Sequence, residues 1–184
     1  MDTLDKAIIY AVKAHSGSLR KGTDIPYIVH PLEAVAIVAS MTNDQNTLAA
    51  AALHDVVEDT DATIEDIERE FGETVAHLVA TESENKREDL PSETTWKIRK
   101  QETLAHLEKA TKEEKIITLG DKLSNMRAIY RDYFTIGDKL WERFNQKDKT
   151  QYAWYYKTIA ELLSDLSDTF AYKEYLELTK KVFD

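Results

Sequence analysis

No cysteine occurs anywhere in the 184 residues, which excludes disulfides and any closed zinc site built on thiolates. No apolar run approaches the roughly 20 residues that a membrane-spanning helix needs. No basic-then-apolar leader opens the chain. A cytoplasmic protein without a membrane partner is the expectation. Positive charge is also in short supply, with 24 Lys and Arg against 34 Asp and Glu and a net charge of −10. General nucleic-acid binding wants a basic footprint, so it is excluded as a leading function. Proline is scarce, at three residues, and no strand pattern, internal repeat or low-complexity tract is visible. What is present is ordinary for a globular protein, with 42% hydrophobic and 32% charged residues. The length suits one well-buried domain over 1–184 and is short for two.

The pattern is helical almost throughout. Residues 3–15 carry Leu4, Ala7, Ile8, Ala11, Val12 and Ala14 as a helical stripe that ends at the Gly17 turn. Residues 31–41 and 44–59 follow as two helices joined by Thr42-Asn43-Asp44. Ala49 to Ala52 are small enough to let a neighbouring helix come close. Thr63-Ile64-Glu65-Asp66 and Thr111-Lys112-Glu113-Glu114 each place an acid three residues after a threonine, the signature of a capped helix start. The first of these helices stops before Gly72, and another spans about 73–81. The polar stretch 82–92, with Pro91, reads as a loop leading to a helix at Glu93. Long loops of this kind tend to act as lids or binding segments. Residues 148–166 and 168–182 close an all-α, multi-helix bundle. The aromatic run Tyr152-Ala153-Trp154-Tyr155-Tyr156 there is expected to be core, since helical periodicity splits it between faces.

The run His54-Asp55-Val56-Val57-Glu58-Asp59-Thr60 is the most informative string. On a helix turning about 100° per residue, Glu58 falls near His54 and Asp59 near Asp55. Leu53, Val56 and Val57 face the other way. An imidazole and three carboxylates on one face repel and desolvate badly without a cation, and a divalent metal supplies one. His30, just before Pro31, sits at a rigid loop-to-helix junction, since proline fits the first turn of a helix. In LGDKLSNMR, Asp121 lies within a helix with Asn125 one turn on. His30, His54, Asp55 and Asp121 form a mixed nitrogen and oxygen ligand set suited to Mn²⁺, Fe²⁺ or Zn²⁺, with positions left for water and substrate.

The order of His30, His54-Asp55 and Asp121 resembles that of the HD-domain metal-dependent phosphohydrolases. The strings AHSGSLRKGTDIPYIVHP (14–31), AALHDVVEDTDATIEDIEREFGETVAHLV (51–79) and ITLGDKLSNMRAI (117–129) resemble more closely the hydrolase domain of the RelA/SpoT-homologue alarmone enzymes. With hydrolase-domain length alone, the chain is similar to the stand-alone small alarmone hydrolases. The resemblance implies an all-α HD-domain bundle that removes pyrophosphate from the 3′ position of (p)ppGpp.

Hydrolysis needs a group that orients water and takes its proton, and a carboxylate one turn from the ligand pair is placed for that. The resemblance implies Glu58 and Asp59 as this catalytic pair. It implies Arg20 and Asn125 as substrate contacts, Lys100 (with Lys86 behind it) near the phosphates, and Tyr155 near the guanine. Lys21 adds to the cations that precede His30. Where relatives carry an arginine one turn before Tyr155 this chain has Gln151, and Ser124 stands where a larger residue is common. His15 is expected to support the loop bearing Arg20, and His77 and His106 to be surface residues. One metal ion, Mn²⁺, is therefore expected.

Three functions remain open. The first is a (p)ppGpp pyrophosphohydrolase. The second keeps the metal site as a 2′- or 3′-phosphatase of another nucleotide such as NADPH. The third is a nucleotide sensor without turnover, against which the Glu58-Asp59 pair argues, because a sensor needs only ligands. The partner is a small nucleotide in each case, and self-association stays open.

Overall fold

A computed structural model describes residues 1–87 and 89–184, with the side chain of Glu93 outside the description. Glu88, within the predicted loop, therefore lies outside the described residues. The fold is all-α. Among the described residues ten α-helices run in the order α1 (Thr3–Ala14), α2 (Val29–Val38), α3 (Gln45–Leu53), α4 (Val56–Asp59), α5 (Ile64–Phe71), α6 (Glu73–Glu82), α7 (Ser92–Leu107), α8 (Lys112–Ile136), α9 (Lys149–Leu162) and α10 (Phe170–Phe183). Short 3₁₀ turns occupy Gly137–Arg143 and Ser164–Leu166. Extended pairing among the described residues is a single antiparallel bridge between Leu19 and Pro26. No helix among them is long and apolar enough to cross a membrane.

The chain divides into two compact units. Residues 1–83 and 111–124 make the first, which is built around α3. Every residue from Thr47 to Leu53 is buried, and α1, α2 and α6 all pack on this helix. The alanines make that possible, because short side chains let helix axes approach to the low end of the usual 8–10 Å. Local chemistry sets the ends. Asp44 caps α3 by accepting from the Thr47 backbone N–H at 2.8 Å. Thr63 and Asp66 close a reciprocal capping box at the start of α5. Thr111 and Glu114 repeat it at α8, with Thr111 N–H to Glu114 Oε2 at 2.7 Å and Glu114 N–H to Thr111 Oγ1 at 3.3 Å. Gly72 separates α5 from α6 at φ 87°, a conformation that side chains disfavour.

One predicted helix is two. The expected 44–59 helix ends at Leu53 and restarts at Val56, leaving His54 and Asp55 in the turn between α3 and α4. Apolar periodicity runs on through Leu53 and Val56, both fully buried, so no propensity marks the break. The connection before α7 is shorter than expected, since α6 reaches Glu82 and α7 starts at Ser92.

The second unit comprises residues 84–110 and 125–184. It packs α7 and α10 against α9 around Trp96, Trp141, Tyr152, Tyr155, Tyr156 and Tyr175, all buried. Of the aromatic run of α9, Tyr152, Tyr155 and Tyr156 are core, as expected, and Trp154 is half-buried. Two buried phenols find carbonyl acceptors on α9, with Tyr172 donating to Ala160 at 2.8 Å and Tyr175 to Tyr156 at 2.9 Å.

Candidate metal centre

Four side chains from three places in the first unit meet at one point. His30 comes from the first turn of α2, His54 and Asp55 from the α3–α4 turn, and Asp121 from α8. His30 Nε2 lies 3.2 Å from His54 Nε2, 3.3 Å from Asp55 Oδ2 and 3.2 Å from Asp121 Oδ1. His54 Nε2 lies 3.2 Å from Asp55 Oδ2 and 3.7 Å from Asp121 Oδ1. Ligands bonded to one ion at about 2.1 Å stand roughly 3.0–3.4 Å apart; four of these five spacings fall in that range, and the His54–Asp121 spacing of 3.7 Å lies just beyond it. His30, His54 and Asp121 are buried, and they form the one group among the described residues placed to hold a metal ion. Asp55, half-buried, completes the four.

Hydrogen bonding shows how the cluster could receive a cation. His54 Nδ1 stands 2.8 Å from the Ala51 carbonyl, which can only accept, so Nδ1 carries the proton. His30 Nδ1 stands 2.8 Å from Ser124 Oγ, and that hydroxyl donates its own proton to Glu33 Oε2 at 2.7 Å. The His30 proton is therefore also on Nδ1. With both rings neutral, the Nε2 atoms turn lone pairs toward each other and toward two carboxylate oxygens. Burial opposes charge on His54, but the carboxylates of Asp55 and Asp121 outweigh it and hold the imidazole well above its ordinary range. Burial likewise disfavours ionised Asp55 and Asp121. It is overcome at Asp55 by His54 and His30, and at Asp121 by Lys122 and the same histidines, so both carboxyls stay well below the usual range. The field that draws a proton to His54 would draw a divalent cation more strongly, because one cation would satisfy all four donors at once.

Residues around the four hold them in place. The Tyr27 hydroxyl is 2.7 Å from both Asp55 Oδ2 and Asp59 Oδ2, bridging the two acids with its single proton. Burial and these two carboxylates push the Tyr27 phenol far above its ordinary range, so it remains a donor. Lys122 pairs with Asp121 Oδ2, the oxygen that does not face the histidines. Tyr27 itself is placed by the small hairpin behind it, where Arg20 N–H donates to Ile25 O at 2.8 Å and Tyr27 N–H to Ser18 O at 2.9 Å. The Arg20 guanidinium sits 5.4 Å from the Tyr27 ring centre, and Lys21 beside it is exposed. His15 is buried with its ring 4.8 Å from Tyr27, a supporting place as expected.

The predicted catalytic acids fall in α4. Asp59 is drawn to Asp55 through Tyr27, and Glu58 is half-buried one residue before it. The predicted substrate residues Lys100, Asn125 and Tyr155 belong to the second unit. There Lys100 donates to Glu84 Oε1 at 2.7 Å and lies 5.1 Å from the Tyr155 ring centre. Tyr155 is only 3% exposed. Gln151 accepts from Lys97 at 2.8 Å, and that ammonium lies 3.2 Å from the Trp154 ring centre. His77 is exposed and faces Glu114 at 3.3 Å, and His106 is exposed.

Sequence reasoning missed Tyr27, Glu33, Glu82 and Lys122. Glu33 stands three residues after His30, a helical spacing that could have flagged it. Glu82, the last residue of α6, is half-buried against Thr118 of α8, and nothing in its local sequence predicts that.

The HD-domain sequence profile matches residues 7–144, three quarters of the chain, so the protein belongs to the HD-domain family. Within that family it shows homology to the hydrolase region of RelA/SpoT proteins. It is 39% identical over 129 residues to a "GTP pyrophosphokinase rsh" of Brucella ovis, covering 68% of this chain and 17% of the relative. It is 49% identical over 76 residues to the "Bifunctional (p)ppGpp synthase/hydrolase SpoT" of Escherichia coli K12, covering 41% and 11%. The chain thus spans less than a fifth of these curated relatives. Its fold matches a metazoan orthologue of SpoT, reported to hydrolyse ppGpp, at TM-score 0.79 and 28% identity over 98% of this chain and 96% of the other. A Listeria monocytogenes EGD-e protein matches at 0.75 and 30%, over 88% and 100%.

Proposed function

We propose that the protein is a metal-dependent (p)ppGpp 3′-pyrophosphohydrolase, with His30, His54, Asp55 and Asp121 holding a single Mn²⁺ ion. The observation that carries the reading is the convergence of two imidazole lone pairs and two carboxylate oxygens, with both tautomers set so that the lone pairs face inward. Support for the substrate comes from the SpoT relatives and from the ppGpp hydrolase that shares the fold. Net charge of −10 favours a free nucleotide, attracted locally by cations, over a nucleic acid. The family match runs through both units, which supports treating 1–184 as one HD-type domain.

A divalent ion in this place would polarise a phosphoryl oxygen and make bound water easier to deprotonate. Glu58 and Asp59 would orient the attacking water and accept its proton. Tyr27, holding Asp59 to Asp55, ties that pair to the ligand set. The water oxygen bonds to the phosphorus carried by O3′, the O3′–P bond breaks, and O3′ takes up a proton. GDP or GTP and pyrophosphate leave. Arg20 and Lys21 from the hairpin would neutralise the diphosphate; for Lys100, Asn125 and Tyr155 the family resemblance alone supports a role toward the substrate.

The test is product analysis. Protein loaded in turn with Mn²⁺, Fe²⁺ or Zn²⁺ is given ppGpp or NADPH, and pyrophosphate and orthophosphate are measured. Pyrophosphate from ppGpp is expected, with nothing from NADPH. Orthophosphate from NADPH alone would reassign the site to a nucleotide phosphatase. Silence with both substrates and all three ions would leave a sensor.

A further inference from the structure

The two imidazoles of the centre are not backed alike. His54 Nδ1–H meets a backbone carbonyl at 2.8 Å, a fixed neutral dipole. His30 Nδ1–H meets the Ser124 hydroxyl at 2.8 Å, and that hydroxyl passes its proton toward the Glu33 carboxylate at 2.7 Å. A hydroxyl has one proton to give, so the direction of both bonds is determined: Nδ1–H to Oγ, then O–H to Oε2. Negative charge at the far end of such a chain polarises each bond toward the imidazole and makes its free nitrogen a better donor. A serine within a helix has an easier partner in the carbonyl one turn back. Ser124, 2% exposed, instead reaches across to α2.

The placement is reciprocal. Glu33 stands three residues after His30 on α2, and Ser124 stands three residues after Asp121 on α8. Each ligand-bearing helix therefore contributes one ligand and one outer partner, and the outer pair joins the helices beside the inner pair. Close approach of these helices is built in, since a Cβ added at Gly120 would meet Ala34 O at 3.1 Å. Ser124 fits the space between His30 and Glu33 with one small hydroxyl.

We infer that Ser124 and Glu33 are positioning residues, an outer relay that sets the donor strength and orientation of His30 and so the affinity of the centre for its ion. The inference rests on the proposed metal site. Neither residue touches substrate in this scheme, and their effect reaches the ion only through His30.

A chelator competition with Zn²⁺ and with Mn²⁺ measures it, using the full chain and the variants Glu33→Gln, Ser124→Ala, Ser124→Thr and the double variant Glu33→Gln/Ser124→Ala. Gln keeps the shape but removes the charge, and its amide can donate to Oγ and turn the hydroxyl the wrong way. Glu33→Gln should weaken binding about tenfold, and Ser124→Ala by roughly 10- to 100-fold. Glu33→Gln should then add nothing in the Ser124→Ala background, because the charge has lost its path. Ser124→Thr, which keeps the hydroxyl, should restore most of the affinity. A merely packing role predicts independent losses, no rescue that depends on the hydroxyl, and weaker melting of the ion-free protein in proportion. Wild-type affinity in Glu33→Gln would overturn the relay even if Ser124→Ala fails to fold, as would an equal Glu33→Gln effect with and without the serine hydroxyl. If the unaltered protein binds neither ion, the metal reading falls and takes the relay with it. If it binds and the variants match it, only the relay falls.

Discussion

Glu82 ends α6 with its carboxyl accepting a 2.6 Å hydrogen bond from the Thr118 hydroxyl. Burial pushes its pKa up to about 7, with Lys122 pulling partly the other way. An unfolded glutamate loses its proton near 4.5. Between those two values the native state holds the proton and the unfolded state does not, so stability falls as pH rises through that window. The contribution is complete below about pH 4.5 and gone above about 7. Glu82→Gln should remove this slope, gaining on the order of 2 kcal/mol relative to wild type between pH 5 and pH 8. Urea melts of both proteins at the two pH values check it, and parallel pH dependence would show that Glu82 titrates normally. Glu58→Gln tests chemistry at the same scale. It should lower kcat by roughly 10²- to 10⁴-fold while metal per chain, by elemental analysis, is unchanged. Loss of metal would make Glu58 a ligand instead. At this scale the residues legible in sequence were those whose type announces chemistry, such as His30, His54, Asp55 and Asp121. Tyr27 and Lys122 were not, because a tyrosine in a loop and a lysine on a helix acquire these roles only from what the fold puts beside them.

Helix ends were the legible part of the elements. Both threonine-acid signatures became capping boxes, since a cap is decided by a few residues in contact along the chain. The break at His54-Asp55 was hidden for the opposite reason: Leu53 and Val56 are buried on either side, so apolar periodicity runs straight through the turn that carries the two residues to His30 and Asp121. Packing between elements was equally silent. Gly120 lies where α8 crosses α2, and a Cβ there would stand 2.6 Å from Val38 Cγ2 and 3.1 Å from Ala34 O. Gly120→Ala should therefore cost about 1–3 kcal/mol by overpacking. Val38→Ala alone should cost roughly 2 kcal/mol through the cavity it leaves. The double variant should fall short of the sum by about 1 kcal/mol or more, because each change makes room for the other. Chemical denaturation of the three variants measures the coupling. Strict additivity would mean that this contact does not limit the approach of α2 and α8.

For the whole molecule, composition and periodicity were enough for the all-α class, because helix signals are local and recur along the chain. The division into two compact units was not visible, since each unit is assembled from segments far apart in sequence, and α8 alone contributes to both. That division has a consequence for the ion. All four proposed donors lie in the first unit, and in an unfolded chain Asp121 is separated from the others by the whole sequence between α4 and α8. An ion held by these four side chains would therefore bind the native state far better than the unfolded one and stabilise it by mass action. At an ion concentration about a hundred times Kd the gain is roughly 2.7 kcal/mol, or about 5–10 °C in Tm for a chain this size. Stripping with a chelator should lower Tm by that amount, and restoring Mn²⁺ or Zn²⁺ should recover it. Hydrogen exchange adds the location: amides of α2, α3, α4 and the first turns of α8 should slow when the ion binds. An ion-dependent rise in Tm with no slowing in those helices would place the metal elsewhere, because a cation joined to His30, His54, Asp55 and Asp121 cannot stabilise the fold without holding their helices together.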